Sequence, residues 1–330
     1  MTTPNRSAII SKLYRVLKKH YKPIAPPADR PALEHLIYGC LLENARYEAA
    51  DEAFAKLKEL YFDWNEIRVT TVTELAEGMG GIPDASASAQ RVKRALQSIF
   101  EGGYSFDIES LKKQNLGKAE KDLEKVNGST PFVRSYVTQN ALGGHSIPVS
   151  KGAIDVLHAV GILSDSEADK GQVPGLERAI PKNKGVEFGS LLQQLAADLV
   201  ASPGSSKVKS ILSEIDSDFK DRLAARQARL EAQAVADAAA AKEARHKARV
   251  EARAAAAAAE AEAKAKAQSR SGRGSAKAGA ARRIAPPDAS KQKPKEKEAP
   301  RLKPALPTKK HDGEDLCRIA AKGLAKKKPR

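Results

Sequence analysis

The sequence predicts an all-α body followed by a long alanine-rich helix and a basic tail, and three observations predict it. Apolar residues recur at helical spacing between turn signals over 6–217, with strand signals almost absent. Alanine makes up 23 of the 44 residues from 224 to 267, with no glycine or proline over 220–267. Beyond 268, Lys, Arg, Pro, Ser, Gly and Ala alternate without any apolar period.

The elements of the body follow in order. Ser7 to Tyr21 sets Ile9, Ile10, Leu13, Val16 and Leu17 on one face, with Lys18 and Lys19 at its end. The breaker IAPPADRP (24–31) precedes Leu33 to Leu42, apolar almost all round and therefore central. Tyr47 to Leu60 keeps Ala50, Phe54, Leu57 and Leu60 in register. Asp63 with Glu66, and Thr71 with Glu74, have capping-box spacing. GMGGIPD (78–84) is a turn, Ser86 to Phe100 a helix, and Gly102-Gly103 its stop. Short helices are expected at 107–113, 117–125, 131–142 and 150–160, the last two framing GGHSIPV (143–149). Further helices are expected at 174–180, 185–201 and 206–215.

Charge divides the chain. The whole carries 57 Lys+Arg against 41 Asp+Glu, a net +16. Residues 1–219 hold 27 against 28, a net −1, and residues 220–330 hold 30 against 13, a net +17. A near-neutral body with a basic extension implies a polyanionic partner. Two cysteines, Cys40 and Cys317, build neither a disulfide framework nor a four-cysteine metal site, and they suit a reducing compartment. No secretory signal is read at the N-terminus, and no stretch approaches 18 consecutive apolar residues. A soluble protein with no membrane partner is expected.

The alanine-rich segment reads as a solitary helix of about 70 Å, at 1.5 Å per residue. Its few large apolar residues, Leu223, Leu230, Val235 and Val250, form no heptad seam. Glu243 with Lys247, Glu260 with Lys264, and Glu262 with Lys266 sit at the favourable i,i+4 spacing. Arg245, Arg249 and Arg253 make one basic stripe. The composition of 268–330, with 19 Lys+Arg and 6 Asp+Glu, predicts disorder. It is similar to the tails of linker histones and bacterial histone-like proteins. Such a tail binds nucleic acid by counterion release, without reading sequence. No aromatic residue follows Phe219, so base stacking is not its mode. RNA and an acidic membrane surface are the other polyanions open to it, and a solubilising role the alternative to them all.

One stretch carries more than fold information. Residues 123–163 read LEKVNGSTPFVRSYVTQNALGGHSIPVSKGAIDVLHAVGIL. A tight Asn127-Gly128 turn leads into a helix whose first turn presents free N–H groups and a positive dipole end, a seat for a phosphate. Gly128 supplies the φ > 0 position, and Ser129 or Thr130 can cap the helix. A plain helix–helix connection would carry the same letters.

The same stretch resembles the helix–hairpin–helix element and following loop of the endonuclease III (HhH-GPD) superfamily of DNA glycosylases. LEKVNG is similar to the family's Leu-Glu-x-Leu-Pro-Gly. IPVSKGAIDVL is similar to its Ile-x-Val-Asp-Thr-His-x-x-x-Val, with equal spacing between the blocks. Upstream, LIYGCLLENARYEAADEAFAKL (36–57) and GGIPDASASAQRVKRAL (80–96) resemble further family segments. The resemblance spans roughly 8–217.

It implies a glycosylase-like fold of two helical lobes, one from 27–147 with six helices and the hairpin, the other from 1–26 plus 148–217. The alanine-rich helix (218–267) and the tail (268–330) follow. It also implies duplex DNA as partner, bound through Asn127, Gly128, Ser129, Thr130 and Arg134, and a place in base-excision repair at the nucleoid of a bacterial cytoplasm.

The sequence departs from the family at its chemistry. Phe132 stands where bifunctional members carry the lysine that attacks the sugar, and Ser150 where members carry the loop aspartate. Thr130 replaces the second hairpin glycine, and the base-replacing glutamine falls on Ala45. Phenylalanine and serine neither form a Schiff base nor supply a fixed charge. Lys151 and Asp155, one turn apart, are the neighbours that offer an amine and a carboxylate instead, and an ordinary surface pair is the alternative reading. The four cysteines of the family's iron–sulfur cluster are absent over 202–220. GEDLC (313–317) resembles the family's closing Asp-Leu-Cys but lies about a hundred residues too far along, with only His311 near it. No metal or cofactor is expected, and Cys40, His145 and His158 read as structural. Three readings stay open: a lyase-deficient DNA-binding relative of the glycosylases, a monofunctional glycosylase with displaced groups, and a nucleic-acid-packing protein.

Overall fold

The computed structural model describes residues 6–275, with side chains to residue 261. All regular elements among them are helical, as the apolar spacing requires. In chain order these are α1 (Arg6–His20), α2 (Ala32–Leu42), α3 (Tyr47–Leu60), α4 (Trp64–Val69), α5 (Val72–Gly78) and α6 (Ala85–Gly103). A 3-10 turn over Glu109–Lys113 leads to α7 (Leu116–Glu124), α8 (Pro131–Asn140), α9 (Lys151–Ala159) and α10 (Asp165–Asp169). The last are α11 (Leu176–Ala179), α12 (Lys182–Ala201), α13 (Ser206–Ile215) and α14 (Phe219–Ser275). No helix among the described residues is long and apolar enough to cross a membrane.

The chain divides into two compact units, Met1–Glu251 and Ala252–Arg330. The first holds two hydrophobic cores. One is built from α2 to α8 around Leu36, Ile37, Leu41, Phe54, Leu96 and Val137. The other joins α1 to α9, α12 and α13 through Leu13, Leu17, Leu157, Phe188, Leu192 and Ile211. α2 is buried along almost its whole length, because α3, α6 and α8 cover it on different sides. The described part of the second unit continues α14 to Ser275.

Local chemistry sets the helix boundaries. Asp63 Oδ1 accepts from the Glu66 N–H at 2.8 Å, while Glu66 reaches back to the Phe62 N–H at 2.7 Å, one residue earlier than a capping box would place it. α6 runs through Gly102 and Gly103, where a stop was expected. Tyr104 takes the left-handed position instead, at φ 51°, and its ring packs edge-on to Phe100 at 5.7 Å. The helix expected over 107–113 shortens to a 3-10 turn. α10 escaped the periodic reading because it has only five residues, yet Ser164 and Glu167 form a full capping box at its start. Helix continues to Ser275, so 268–275 departs from the expected disorder. The remainder of the tail, with Cys317, lies outside the described residues.

α14 starts against the second core rather than free of it. Phe219 is buried and Leu223 packs beside it. Arg226 is only 3% exposed and bonds Asp155 at 2.7 Å, Asp169 at 2.8 Å and the Ala168 carbonyl at 3.3 Å. Arg222 bonds Asp216 at 2.9 Å and the Ala159 carbonyl at 3.2 Å, and Arg229 bonds Asp165. Three arginines on one helix face thus meet a row of acids.

A buried guanidinium with its bonds satisfied is costly to remove, since the partner carboxylates keep their desolvation penalty. Arg226→Ala should therefore destabilise the protein by about 3 kcal/mol in urea melts. Arg229→Ala, on a half-exposed side chain, should cost less than about 1 kcal/mol. Equal losses would show that the row of contacts does not depend on the buried member.

Candidate nucleic-acid interface

The hairpin between α7 and α8 is fixed by contacts that leave some of its donors free. Gly128 sits at φ +88°, and a Cβ there would lie 2.6 Å from the Arg91 carbonyl oxygen of α6. Glycine is needed for the backbone angle and for this approach. The Ser129 N–H donates to the Val126 carbonyl at 3.1 Å and closes the turn. Thr130 is the N-cap: its hydroxyl oxygen accepts from the Val133 N–H at 3.2 Å and its O–H donates to Glu43 at 3.0 Å. Pro131 takes the first helical position, which has no use for an N–H. Among the described residues the N–H groups of Asn127, Gly128 and Thr130 make no hydrogen bond.

The other hairpin residues divide by role. Arg134 donates to the Ser129 carbonyl at 3.0 Å and braces the turn. The Ser129 hydroxyl is buried without a partner, so Thr130 alone does the capping. Beneath the turn, Glu43 lies 3.4 Å from the Arg91 guanidinium. Burial pushes the Glu43 carboxyl above its ordinary range, against the pull of Arg91 and Thr130. Asn127 to Thr130 and Arg134 therefore lie together at one end of α8.

Phe132 is 2% exposed and stacks on Tyr136 at 6.3 Å between centroids. Ser150 is 1% exposed and caps α9, its hydroxyl accepting from the Ala153 N–H at 3.4 Å. Lys151 and Asp155 are not brought together. Lys151 is exposed, and Asp155 turns to Arg226 instead. A buried guanidinium with fixed donors outbids a solvated ammonium one turn away. Cys40 is fully buried, and burial pushes its thiol up to about 12. His145 bonds the Glu177 carbonyl at 2.8 Å, and His158 bonds Asp165 at 2.6 Å. No group of three metal-ligating side chains occurs among the described residues.

Phe132 also lines a pocket of about 230 Å³ between the two cores. Tyr38 donates to Asp51 at 2.6 Å, and the Arg30 guanidinium lies 4.2 Å from the Tyr38 ring centroid. Burial raises the phenols of Tyr38, Tyr47 and Tyr136 well above their ordinary value, so all three stay protonated. Gln193 donates to the Leu42 and Ala45 carbonyls at 2.9 and 3.2 Å, which fixes its amide and leaves its oxygen unpartnered. The amide nitrogen of Gln139 is unpartnered as well. The pocket thus offers aromatic walls, one cation, one carboxylate, the Ser190 hydroxyl, a free acceptor and a free donor, and no amine or thiol nucleophile. The sequence signal for Arg30 was the breaker IAPPADRP. Gln139 and Gln193 gave none, being single polar letters inside helices.

No protein-family model and no curated protein sequence matches the chain. Among solved structures, it is similar to a non-covalent endonuclease III–DNA complex at 15% identity and a TM-score of 0.47, covering 66% of this chain and 98% of that one. It is similar to a thermostable thymine-DNA glycosylase at 16% identity and a TM-score of 0.43, covering 66% and 97%. A Helicobacter pylori 3-methyladenine DNA glycosylase bound to 1,N6-ethenoadenine gives 17% identity and a TM-score of 0.36, covering 68% and 98%.

His35 packs beside Tyr136, with ring centroids 6.1 Å apart. Burial first, then the charges of Arg30 and Lys112, lower its pKa to about 4. Its folded value lies below its unfolded value, so its contribution is complete above about pH 6.5 and is lost as pH falls towards 4. The stability difference between the wild type and His35→Gln should therefore move by roughly 2 kcal/mol against the wild type between pH 7.5 and 4.5. Parallel urea curves at the two pH values check this, and a pH-independent difference would contradict it.

Proposed function

We propose that this protein binds duplex DNA through the α7–α8 hairpin and its basic extension, and that it is a relative of the base-excision glycosylases without lyase activity. The observation that supports it best is the hairpin. Its N–H groups at Asn127, Gly128 and Thr130 are unbonded and stand at a helix start, where a phosphate is favoured. The absence of lyase chemistry rests on Phe132 and Ser150. One side chain is committed to packing and the other to capping, so neither supplies an amine nor a charge.

The extension from residue 220 supplies the net positive charge that the body lacks, which supports binding to a polyanion, and the nucleoid of a bacterial cytoplasm is the localisation we propose with it. RNA is the competing polyanion for the extension. Lesion-independent binding would favour a packing role.

A second reading keeps excision without lyase activity. Asp51 favours it, because this carboxylate lines the interlobe pocket while Asp155 is held by Arg226. A monofunctional enzyme would use Asp51 to orient water or stabilise a cationic sugar.

Two measurements separate these. Borohydride trapping on an abasic duplex should give no covalent adduct with a chain ending at Glu251. That truncation keeps Arg222, Arg226 and Arg229 and removes the lysine-rich tail, which traps aldehydes unspecifically. A strong adduct would overturn the lyase-deficient reading. On damaged-base duplexes followed by alkali, strand breaks that vanish with Asp51→Asn would establish the second reading.

Salt dependence tests the division of labour. Residues 252–330 carry a net +14. If they engage six phosphates, removing them should flatten the slope of log affinity against log salt by about 5. Equal slopes would mean that the tail serves another partner.

A further inference from the structure

Beside the hairpin, a groove of about 780 Å³ runs between the α4–α5 corner and one face of α6. We propose that it is a second phosphate site for the DNA backbone, continuous with the hairpin and centred on Arg94. The proposal rests on the hairpin reading above and extends the interface to a surface that reading does not include.

One wall of the groove is a polar face of α6, while Val69 and Val72 add apolar lining opposite. Gln90, Lys93, Arg94 and Gln97 recur at helical spacing and line one wall, with Glu101 at the far end. The opposite wall brings Arg68, and the hairpin closes the groove with Asn127 and Gly128. Three cations against one carboxylate give a local +2 on a body whose total is −1.

The cations are not equivalent. Arg68 is held by Asn65 and Gln97, at 2.8 and 2.7 Å, and its guanidinium lies 4.4 Å from the Phe100 ring centroid. Lys93 donates to the Thr70 carbonyl. These two charges are fixed before any ligand arrives, so little order is lost when an anion meets them. Arg94 is exposed and makes no hydrogen bond or ion pair among the described residues. It carries a full planar set of donors, the geometry that suits a phosphate.

Its position is set by the hairpin glycine. A Cβ on Gly128 would come within 3.2 Å of Arg94 Cβ. The missing side chain therefore lets the turn and Arg94 lie side by side, and Asn127, Gly128 and Arg94 line the same groove. One phosphate at the turn and a neighbour over Arg94 and Lys93 would follow a single strand. Such contacts are independent of base sequence, and the one made by Arg94 adds a counterion-release increment.

The test uses the full chain and an undamaged duplex, with binding measured from 0.05 to 0.3 M salt. Arg94→Glu should weaken binding about tenfold at 0.15 M salt and flatten the slope by about 1, the increment for one phosphate. Arg94→Lys should keep the slope, since the charge remains. Lys113→Glu makes the same charge change on an exposed side chain outside the groove and should alter affinity less than threefold. Unchanged melting temperatures establish that the fold is intact, as expected for exposed positions. If Arg94→Glu and Lys113→Glu behave alike, the groove is not a contact surface and this inference falls while the hairpin reading stands. If the unaltered chain does not bind duplex at all, both fall.

Discussion

Arg91 and Gly128 meet where three elements have to be joined, and the rest of the first core is arranged around that meeting. The Arg91 carbonyl approaches Gly128 so closely that any side chain there would collide with it. The Arg91 side chain turns the other way, donating to the Cys40 carbonyl at 3.1 Å and facing Glu43. Glu43 in turn accepts from Thr130, which caps α8. One residue of α6 thereby fixes the end of α2, the hairpin turn and the start of α8. The free N–H groups and the groove beside them are consequences of that junction. A hairpin held on both sides can present donors to a ligand without paying to order them first.

The second core is tied to the extension by charge rather than by apolar area. Few large apolar residues are available in α14, and among the described residues only Phe219 and Leu223 of it reach the core. Arg222, Arg226 and Arg229 take over that task by matching acids on α9, α10 and the segment before α14. Asp155 is consumed in the process, which removes the carboxylate that stood closest in sequence to the empty loop position. Docking of the helix and loss of that chemical option are one event.

Between the cores, the pocket carries polar and aromatic groups but no lysine or cysteine. Its phenols stay protonated because burial disfavours their charged forms, and its two glutamines leave one donor and one acceptor open. The carboxylate there, Asp51, accepts from Tyr38 at 2.6 Å.

By itself the sequence determined the helical class, most helix positions and the hairpin, because those depend on spacing and turn chemistry within a dozen residues. Leu36 to Leu42 announced a buried helix, Asn127-Gly128 a turn, and the alanine run a long helix. It also showed that position 132 carries no amine and position 150 no carboxylate, since residue type alone decides that. Ends of helices were less legible: Tyr104 in the left-handed position, where glycine was expected, is favoured by its ring contact with Phe100. What only the tertiary structure decided are pairings between distant segments. Arg226 meets Asp155 across 71 positions, Gln193 reaches the Leu42 carbonyl across 151, and Arg94 reaches the hairpin by way of a missing Cβ. No local pattern encodes those contacts, because a lone arginine or glutamine in a helix reads as solvated until the packing of other elements removes the water around it.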